Sequence, residues 1–415
     1  MAAGEPKPRW IVLEPGLRDQ AGHQRAFALA LPAIAAARGM ALSIYGGIPL
    51  ADDIAARTSA VPLFRTTVIR RPYRDPLTAG LRRLIQSSQE MARDLLGPGN
   101  PHAGRDDIVL VPTADPWLLV AVGIWLSRIP KDARPRVAIT FHEGEGLFAP
   151  PRSPTTLDQA QIRYGIATIE AAVPRERFLV TATNHPLAGK LSELLGRPVH
   201  WCPVGNPVEQ FATDLPATAR RSADGRPRIA IVGFPRYEKG QNLLRTIVAA
   251  IAHRLPGASI FVQVPDTPDA APIPPARGLE VHRGALTDEE YRTAVVEAAI
   301  MVLPYRVRRY RGRVSGVFVD AAAAGCTMVV PAGTWMAERV RANRAVGVIF
   351  ERNRASGVAE AAAAAVADID RLSALAAAAA PRWRAAIGPG PYLDRITRLL
   401  RDLSATARGQ AVDAA

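Results

Sequence analysis

The sequence contains very little cysteine and no long apolar run. Its 415 residues include two cysteines, Cys202 and Cys326, which lie too far apart along the chain to have the spacing of metal ligands. No signal peptide and no apolar stretch of transmembrane length is visible. These absences argue against a disulfide-stabilised secreted scaffold, and they predict a reducing, cytoplasmic environment.

Lysine is scarce as well. The chain has 52 basic residues and a net charge of +14, yet only four of these residues are lysine: Lys7, Lys131, Lys190 and Lys239. The positive charge indicates an acidic partner, and composition leaves nucleic acid, an anionic membrane surface and a small phosphorylated ligand all open. Because arginine stands almost everywhere that lysine could, a lysine in a plausible binding loop is informative. Lys239 lies in such a loop.

Several motifs are missing. The loop around Lys239 has neither the spacing of a P-loop nor the Gly-x-Gly-x-x-Gly pattern of dinucleotide-binding proteins, which disfavours ATP and NAD. No Asp-x-Asp follows a predicted strand, so we expect no metal site. Aromatic residues make up only 6% of the chain and no nucleic-acid-binding motif accompanies the arginine runs, so we expect no nucleic-acid partner.

Strand and helix patterns alternate along most of the chain. This alternation predicts two α/β domains, each with a doubly wound parallel sheet of the Rossmann-like kind, facing each other across a cleft. We predict an N-terminal domain over residues 1–205, a polar linker rich in turn formers over 206–227, and a C-terminal domain over 228–386. Residues 387–415 are predicted to form an amphipathic helix and a tail, and the N-terminal domain is the candidate surface for that helix.

Ligands of doubly wound sheets bind beyond the carboxyl ends of the strands, so the loops after strands hold the candidate residues. Gly22 and His23 lie between the first strand and the first helix, where backbone N–H groups could meet a phosphate. His142 directly follows a buried strand and is a candidate polar catalytic or sugar-binding group. An ordinary helix start and a histidine bonded to local backbone remain the alternatives.

The loop from Gly233 to Gly240 joins a strand to a helix. In this loop Arg236 and Lys239 can converge on a diphosphate, arginine as a bidentate fork and lysine as a point charge. These two side chains therefore form the first part of a predicted anion site.

A second strand, loop and helix from Ile300 to Pro331 complete the prediction. Five arginines occupy its loop, and Ser315-Gly316 begin the helix, whose first N–H groups suit a phosphate. Arg313 is close enough in sequence to join them. Asp320 could accept hydrogen bonds from ribose hydroxyls, or it could be a solvated helix residue.

These residues carry a resemblance that extends from Arg9 to about Phe350. Three segments resemble, in order and spacing, the C-terminal half of retaining nucleotide-sugar glycosyltransferases with the GT-B fold, of the glycosyl transferase group 1 type. These segments are Gly233…Glu238-Lys239-Gly240, then His282 to Glu290, then Leu303-Pro304-Tyr305…Ser315-Gly316-Val317…Asp320. Gly22-His23, His142 and the turn from Pro203 to Pro207 resemble the N-terminal half. No single motif is strong, but the ordered set is much more specific.

The resemblance implies a role for each position. His142, Arg236 and Lys239 would be catalytic, with His142 beside the transferred sugar. The donor would be bound by Gly22, His23, Gly233, Arg236, Lys239, Gly240, Pro304, Tyr305, Arg313, Ser315, Gly316, Val317 and Asp320. The N-terminal domain would bind the acceptor, and the C-terminal domain would bind the nucleotide sugar.

Three positions depart from the family pattern. Phe234 stands where many members have arginine directly after the glycine, and the arginine comes later, at Arg236. The ribose-binding acid is aspartate, Asp320, where glutamate is usual. Gly312 occupies a position where many members have a second glutamate. These departures leave the identity of the donor open.

The expected function is therefore sugar transfer from a nucleoside diphosphate sugar to a glycan, a lipid-linked or a small-molecule acceptor, with retention, without a metal and without a cofactor. A nucleotide-sugar epimerase or phosphorylase of the same fold is the alternative enzyme. A non-catalytic basic protein that binds nucleic acid or an anionic membrane is the alternative of another class. The basic run from Arg65 to Arg83 also predicts peripheral contact with the cytoplasmic membrane face.

Overall fold

The computed structural model describes residues 9–18, 23–66, 77–148, 156–203, 205–212, 220, 225–267 and 272–413. Its contacts divide the chain into two compact units. Unit 1 comprises Met1–Pro207 together with Pro389–Ala415, and unit 2 comprises Val208–Gly388. Each unit contains one parallel sheet with helices on both faces, which confirms the prediction of two doubly wound α/β domains.

The strands form two sheets in which every described pairing is parallel. They are β1 (Arg9–Glu14), β2 (Ala41–Gly47), β3 (Val61–Phe64), β4 (Ile108–Val111), β5 (Arg136–Phe141), β6 (Phe178–Ala182), β7 (His200–Trp201), β8 (Arg228–Ile231), β9 (Ser259–Val264), β10 (Leu279–Arg283), β11 (Ile300–Val302), β12 (Thr327–Pro331) and β13 (Gly347–Phe350).

The helices connect these strands in chain order. They are α1 (His23–Ala37), α2 (Asp52–Thr58), α3 (Leu77–Leu96), α4 (Pro116–Ser127), α5 (Thr156–Glu170), α6 (His185–Leu195), α7 (Leu244–Arg254), α8 (Asp288–Val296), α9 (Val307–Tyr310), α10 (Gly316–Ala324), α11 (Trp335–Arg341), α12 (Ala355–Ala367), α13 (Ile369–Ala386) and α14 (Pro389–Asp413). Two 3₁₀ turns, Tyr237–Lys239 and Gln241–Leu243, lie between β8 and α7.

The strand orders of the two sheets match. Unit 1 has the order β3-β2-β1-β4-β5-β6-β7 and unit 2 the order β10-β9-β8-β11-β12-β13. In each sheet the first strand pairs with the second on one side and the fourth on the other, so the connections reverse direction there. This is the Rossmann arrangement, and its switch points are β1/β4 in unit 1 and β8/β11 in unit 2.

Helices cover both faces of each sheet, so the central strands are almost wholly apolar. Val109, Leu110, Ile139 and Val180 are fully buried in unit 1. Their alternate side chains enter two separate clusters, one on each side of the sheet, and unit 2 has the same arrangement. Continuous apolar strands of this kind are typical of covered parallel sheets.

Two strands, β3 and β7, and two short helices, α2 and α9, were not predicted from the sequence. β3 and β7 lie at the ends of the unit 1 sheet, and both are too short to give a clear pattern. The arginine loop after β11 contains the four-residue helix α9. The alanine-rich run forms two helices, α12 and α13, which are separated at Asp368.

The stretch interpreted as a linker contributes to the core of unit 2. Val208 and Phe211 are buried there, and Phe211 meets the ring of Tyr291 edge-on with centroids 6.1 Å apart. The Arg220 side chain is buried as well, and it donates to the Ala298 carbonyl at 3.3 Å. Most of residues 213–224 lie outside the described part of the chain.

Helix α14 packs within unit 1. Its apolar face inserts Leu393, Ile396 and Leu400 into the cluster on one side of the sheet. On its polar side, Asp394 accepts two hydrogen bonds of 2.8 Å from Arg38 at the end of α1. The last helix therefore completes a core that begins about 380 residues earlier in the chain, at Trp10.

Candidate functional site

The loops at the two switch points contain most of the predicted site residues. In unit 2 the relevant loops follow β8 and β11, and in unit 1 they follow β1, β4 and β5. A doubly wound sheet leaves a crevice at its switch point because the helices on either side of that point cover opposite faces.

Gly233 shapes the loop after β8. Its φ of +99° lies in the left-handed region that favours glycine. A Cβ atom there would lie 2.6 Å from Cγ2 of Val317 and 3.0 Å from Nζ of Lys239. The Gly233 N–H donates to Oε1 of Gln263 at 2.9 Å, and Gln263 in turn donates to the Gly284 carbonyl at 2.8 Å. The side-chain amide of Gln263, which was not predicted from the sequence, thus anchors the start of the loop that carries Lys239.

Lys239 lies at the centre of a positively charged cluster. The pKa of its ammonium group is lowered to about 8, first by burial and then by the positive charges of Arg236 and Arg313, while Glu238 and Asp320 act in the opposite direction. The ammonium nitrogen lies 5.8 Å from the centre of the Tyr305 ring. The three cations repel one another in this arrangement, so an anion bound between them would relieve that repulsion.

Gly240 lets the two loops of unit 2 approach closely. Its φ is +82°, and a Cβ atom would lie 2.3 Å from the carbonyl oxygen of Pro304. Arg306 links the same loops. Its guanidinium lies 3.6 Å from the centre of the Tyr237 ring, and it donates to the Tyr237 carbonyl at 3.2 Å and to Asn242 at 3.0 Å.

Helix α10 begins directly after Ser315, where the sequence predicted a helix start. The Ser315 hydroxyl accepts a hydrogen bond from the Phe318 N–H at 3.2 Å and so caps α10. The amides of Gly316 and Val317 come before Phe318 in the first turn, where no helical carbonyl is available to them. These amides and the helix dipole favour an anion at this end of the helix.

Asp320 is one turn further along α10, and it is only 9% exposed, so it is not a solvated helix residue. The hydroxyl of Tyr291 donates to its Oδ2 at 2.7 Å. Burial raises the pKa of this carboxyl to about 7, although the Tyr291 hydrogen bond and the nearby Lys239 lower it. Asp320 is therefore a buried acid poised between its two protonation states near neutral pH.

The structure brings the predicted residues of unit 2 together. Lys239, Tyr305 and Val317 converge on Gly233, Pro304 contacts Gly240, and Arg236, Arg313 and Asp320 interact electrostatically with Lys239. The five arginines of the loop after β11 divide into separate groups. Arg313 belongs to the cluster and Arg306 supports the loop after β8, whereas Arg308 and Arg311 are exposed.

Unit 1 has a pocket at its own switch point. Its lining residues are Glu14, His23, Gln24, Phe27, Pro112, Thr113, His142, Gly205, Asn206 and Tyr392. The predicted residues His23 and His142 are therefore together, and their ring centroids are 5.6 Å apart. Gly22 lies outside the described residues.

His142 is fixed by the loop after β4. Its Nε2 lies 2.8 Å from the Pro112 carbonyl oxygen, which can only accept a hydrogen bond, so Nε2 carries a proton. In the neutral imidazole Nδ1 is consequently the acceptor nitrogen. The ring is half-buried, whereas His23 at the start of α1 is exposed.

Glu14 is the main residue of this pocket that was not predicted. It ends β1 and is 3% exposed. Its Oε1 accepts from the Gly16 N–H at 3.2 Å. Burial raises the pKa of its carboxyl to about 7, against hydrogen bonds from Thr113 and Gly16 that lower it. An acid at the end of a central strand satisfies the criterion that selected His142, so the sequence did contain a signal for it.

Tyr392 forms the wall of the pocket on the side of α14. Its ring meets Phe27 edge-on at 5.7 Å. Its hydroxyl lies 2.6 Å from that of Thr140, which is 2.8 Å from the Thr181 hydroxyl. Since Tyr392 is distant in sequence from every other residue that lines the pocket, no sequence pattern connects it to them.

Two further properties concern the described part of the chain as a whole. No group of three or more His, Cys, Asp or Glu side chains among these residues is arranged to hold a metal ion. None of their helices combines the length and apolar character that are needed to cross a bilayer.

The chain was compared with known proteins. No protein-family model and no curated protein matches it. Solved structures do match. A glycosyltransferase from Rickettsia africae superimposes with a TM-score of 0.64 at 12% identity, covering 96% of this chain and 98% of the other. Anabaena HepE in complex with UDP-glucose gives 0.59 at 10% identity, over 97% and 99%. Sucrose-phosphate synthase from Thermosynechococcus elongatus gives 0.60 at 16% identity, over 97% and 100%.

These similarities extend over nearly the whole of each chain. At such low identity they bear on the fold alone. The two Rossmann-like units have the fold of the GT-B glycosyltransferases, which confirms the fold indicated by the sequence resemblance.

Proposed function

We propose that this protein is a glycosyltransferase that transfers a sugar from a nucleoside diphosphate sugar to an acceptor, and that unit 2 binds the donor. The observation that carries the proposal is the cluster of Lys239, Arg236 and Arg313 beside the capped start of α10 at the β8/β11 switch point. The cluster has the charge and the backbone amides that a diphosphate needs. The solved complexes of HepE with UDP-glucose and with UDP lend support, since HepE has the same fold.

The chemistry requires stabilisation of the leaving group. When the bond between the sugar and the diphosphate breaks, negative charge develops on the phosphate oxygens. Lys239, Arg236 and Arg313 and the amides of Gly316 and Val317 supply a fixed positive field for that charge. In the remaining roles, Ser315 would hold the helix start in position, Asp320 would bind the ribose, and His142 would lie beside the transferred sugar.

The protonation of Lys239 should depend on the donor. Its pKa of about 8 leaves it mostly protonated at pH 7, and a bound diphosphate would raise this pKa again because it adds negative charge nearby. Donor binding near pH 8 should therefore take up protons, and donor affinity should fall as pH rises through 8.

Retention of the sugar's configuration and independence from metal and cofactors are further parts of the proposal. Retention rests on the sequence resemblance. Metal independence rests on the cationic side chains and amides, which can perform the charge stabilisation that a metal would otherwise provide. An epimerase or phosphorylase of the same fold would use the same donor site. Product analysis with and without an added acceptor distinguishes these enzymes.

The donor site can be tested by isothermal titration calorimetry with UDP and GDP. We expect Lys239→Ala to weaken binding of the accepted nucleotide by about tenfold or more, because it removes a charged hydrogen-bond donor. Asp320→Ala should weaken it less. The matched control is Lys190→Ala, since Lys190 is exposed and bonds to Glu193 on the surface of unit 1.

Buffers with different ionisation enthalpies add a second readout. The wild-type protein should take up protons on binding near pH 8, and Lys239→Ala should not. Unchanged nucleotide affinity in both Lys239→Ala and Asp320→Ala would contradict the site. Mass-spectrometric screening of nucleotide sugars for hydrolysis and transfer would then identify the sugar and the base.

We further propose that α3 brings the protein to an anionic membrane surface, as a lipid-linked acceptor would require. This helix exposes Leu81 and Ile85, of which Ile85 is 58% exposed, beside the exposed Arg82. Apolar side chains flanked by arginine suit an anionic bilayer surface. Arg70, Arg71 and Arg74 of the predicted basic run lie outside the described residues.

Vesicle flotation with anionic lipid at low salt tests this contact. The wild-type protein should float with the vesicles, and a variant carrying Leu81→Ser, Arg82→Ser and Ile85→Ser should stay in solution. Failure of the wild-type protein to float would remove the proposal.

A further inference from the structure

The carboxyl of Asp320 receives its hydrogen bond from a different helix. The hydroxyl of Tyr291, on α8, donates to Oδ2 of Asp320 at 2.7 Å. Among the described residues this is the one hydrogen bond to that carboxyl, so Oδ1 is left for a ligand. The sequence resemblance assigns no role to Tyr291, and the hydrogen bond connects it directly to the acid that would bind the ribose.

The position of Tyr291 is set by the packing of α8. The helix begins with a capping box in which the Thr287 N–H donates to the Glu290 carboxylate at 2.7 Å and the Glu290 N–H donates to the Thr287 hydroxyl at 3.2 Å. The Tyr291 ring packs edge-on against Phe211, with ring centroids 6.1 Å apart. The ring is therefore held from two sides, and its hydroxyl reaches Asp320 from a fixed direction.

This hydrogen bond favours the ionised form of Asp320. Burial raises the pKa of the Asp320 carboxyl to about 7, and the Tyr291 hydrogen bond and then the charge of Lys239 lower it. Burial, followed by the charge of Asp320, raises the pKa of Tyr291 well above its usual value, so the hydroxyl keeps the proton that it donates. Without this donor the carboxyl would stay neutral up to a higher pH.

Several other ionisable side chains lie on the elements around Asp320. They are those of Glu209, Lys239, Glu290, Tyr305, Arg313, Cys326 and Arg384. Burial raises the pKa of Tyr305 well above its usual value and that of Cys326 to about 11, so both stay neutral near pH 7. Glu209 and Glu290 each accept from the backbone at the start of their own helical turn, and Arg384 donates to a backbone carbonyl of α10. The titration of Lys239, whose pKa is about 8, must therefore be separated from that of Asp320.

We propose that Tyr291 is a positioning residue of the donor site, and that its hydroxyl holds the Asp320 carboxylate in place, and charged, for the ribose hydroxyls of the donor. The proposal rests on the proposed function, in which Asp320 binds the ribose. A hydroxyl donates a shorter and stronger hydrogen bond to a carboxylate than to a neutral carboxyl group. Tyr291 thus acts on donor affinity through Asp320.

Isothermal titration calorimetry on the full-length protein tests this role between pH 6 and pH 9. The probes are UDP and GDP, each paired with its 2′,3′-dideoxy form. Both members of a pair carry the same base and diphosphate, so the protonation of Lys239 affects them alike. The ratio of their affinities therefore reports the contact between the ribose hydroxyls and Asp320.

In the wild-type protein the ratio should rise with pH as Asp320 ionises, and it should reach about tenfold in favour of the ribonucleotide. Tyr291→Phe keeps the aromatic ring and removes the hydroxyl. In this variant the rise should lie at higher pH, and the ratio at pH 7.5 should be about threefold smaller. Carbon-13 NMR of the Asp320 carboxyl, assigned by its loss in Asp320→Asn, should show the same upward movement of the pKa without any nucleotide.

Two further variants separate positioning from a general effect on the fold. In Asp320→Asn the ratio should be small and independent of pH, and adding Tyr291→Phe should change it no further, because Tyr291 acts through the acid. Tyr45→Phe is the matched control, since it removes the hydroxyl of another buried tyrosine, which lies in β2 of unit 1. This control should keep the wild-type pH profile. Thermal unfolding shows whether each variant is folded.

Three results would overturn the proposal. They are a pH profile that is the same in Tyr291→Phe as in the wild-type protein, an equal loss when Tyr291→Phe is added to Asp320→Asn, and a wild-type ratio near one at every pH although both members of the pair bind. The last of these would leave the diphosphate site intact. If neither UDP nor GDP bound in either form, the donor site itself would be contradicted, and the role of Tyr291 with it.

Discussion

The switch points of the two units carry the same kind of acid in opposite surroundings. Glu14 in unit 1 and Asp320 in unit 2 are both almost fully buried, and burial raises the pKa of each to about 7. Asp320 lies near Lys239, Arg236 and Arg313 and accepts from Tyr291. Glu14 has neutral partners and two histidines in its pocket.

The difference follows from the loops rather than the sheets. Both sheets have the Rossmann strand order, so the scaffold offers the same crevice twice. The loops after β8 and β11 fill one crevice with cations, whereas the loops after β1, β4 and β5 leave cations out of the other. The two switch points therefore differ in the charge of the residues around them, with three cationic side chains in unit 2 and no arginine or lysine among the described residues that line the pocket of unit 1.

The largest effect should come from the close approach of Gly240 to the backbone of Pro304 in unit 2. Gly240→Ala would put a Cβ atom 2.3 Å from the Pro304 carbonyl oxygen. We expect a loss of about 1–2 kcal/mol from the left-handed backbone and a further ~1–3 kcal/mol from the clash. The loops of the cluster should also move apart. Urea unfolding and nucleotide calorimetry measure the two consequences.

Gly196→Ala is the matched control for this change. Gly196 also has left-handed φ, +60°, but a Cβ atom there meets nothing within 4 Å. It should lose about 1–2 kcal/mol of stability and no nucleotide affinity. Equal stability losses in both variants would mean that the close approach of the two loops contributes nothing beyond the backbone conformation.

A smaller effect should distinguish the two acids by their influence on stability. Each carboxyl has a pKa that is higher in the folded protein than in the unfolded chain, so the native state binds more protons. The stability due to each acid is present below the unfolded pKa, near 4, and is lost as pH rises through about 7. For Glu14 this loss amounts to about 3 kcal/mol. Glu14→Gln should therefore unfold at a higher urea concentration than the wild-type protein at pH 8, but not at pH 4.5.

Asp320→Asn should gain less at pH 8, because it also leaves Lys239 without the carboxylate that favours its charged form. Urea titrations at several pH values measure both differences. A Glu14→Gln variant that is no more stable than the wild-type protein at pH 8 would show that Glu14 is not held as a buried acid. Equal gains in stability for Glu14→Gln and Asp320→Asn would show that the cations near Asp320 do not make its surroundings differ from those of Glu14.

The sequence predicted the fold well where helices and strands were long and periodic. Central strands such as β5 and β12 are largely apolar runs between turn formers, which is the pattern that indicates a buried parallel strand. β3 and β7 were missed because edge strands of four and two residues have no measurable period. The burial of Val208 and Phe211 was missed because a polar, proline-rich stretch gives no sign of a few anchored side chains.

The candidate site was predictable where one loop carried it. Arg236 and Lys239 follow β8 directly, and Ser315 begins the helix after β11, so position alone selected them. Tyr291 reaches Asp320 from a different helix, and periodicity gives the face of a helix but not its neighbour. Gln263 did have a signal, since it is the one polar residue inside the apolar strand β9.

The smallest predicted effect concerns how each switch point holds its loops. In unit 1, His142 bonds to the Pro112 carbonyl, and in unit 2, Arg306 stacks on Tyr237 and bonds to Asn242. Arg306→Ala should lower nucleotide affinity by about threefold to tenfold, since Arg306 supports the loop that carries Lys239 without belonging to the cluster. Calorimetry at two salt concentrations measures this loss against Arg311→Ala, which removes an exposed arginine from the loop after β11, the loop to which Arg306 also belongs. If Arg306 acted only through long-range charge, both variants would lose the same affinity, and the loss would vanish at high salt. A loss of nucleotide affinity that occurs in Arg306→Ala alone and persists at high salt indicates that the contacts between the two loops hold the anion site in its binding geometry.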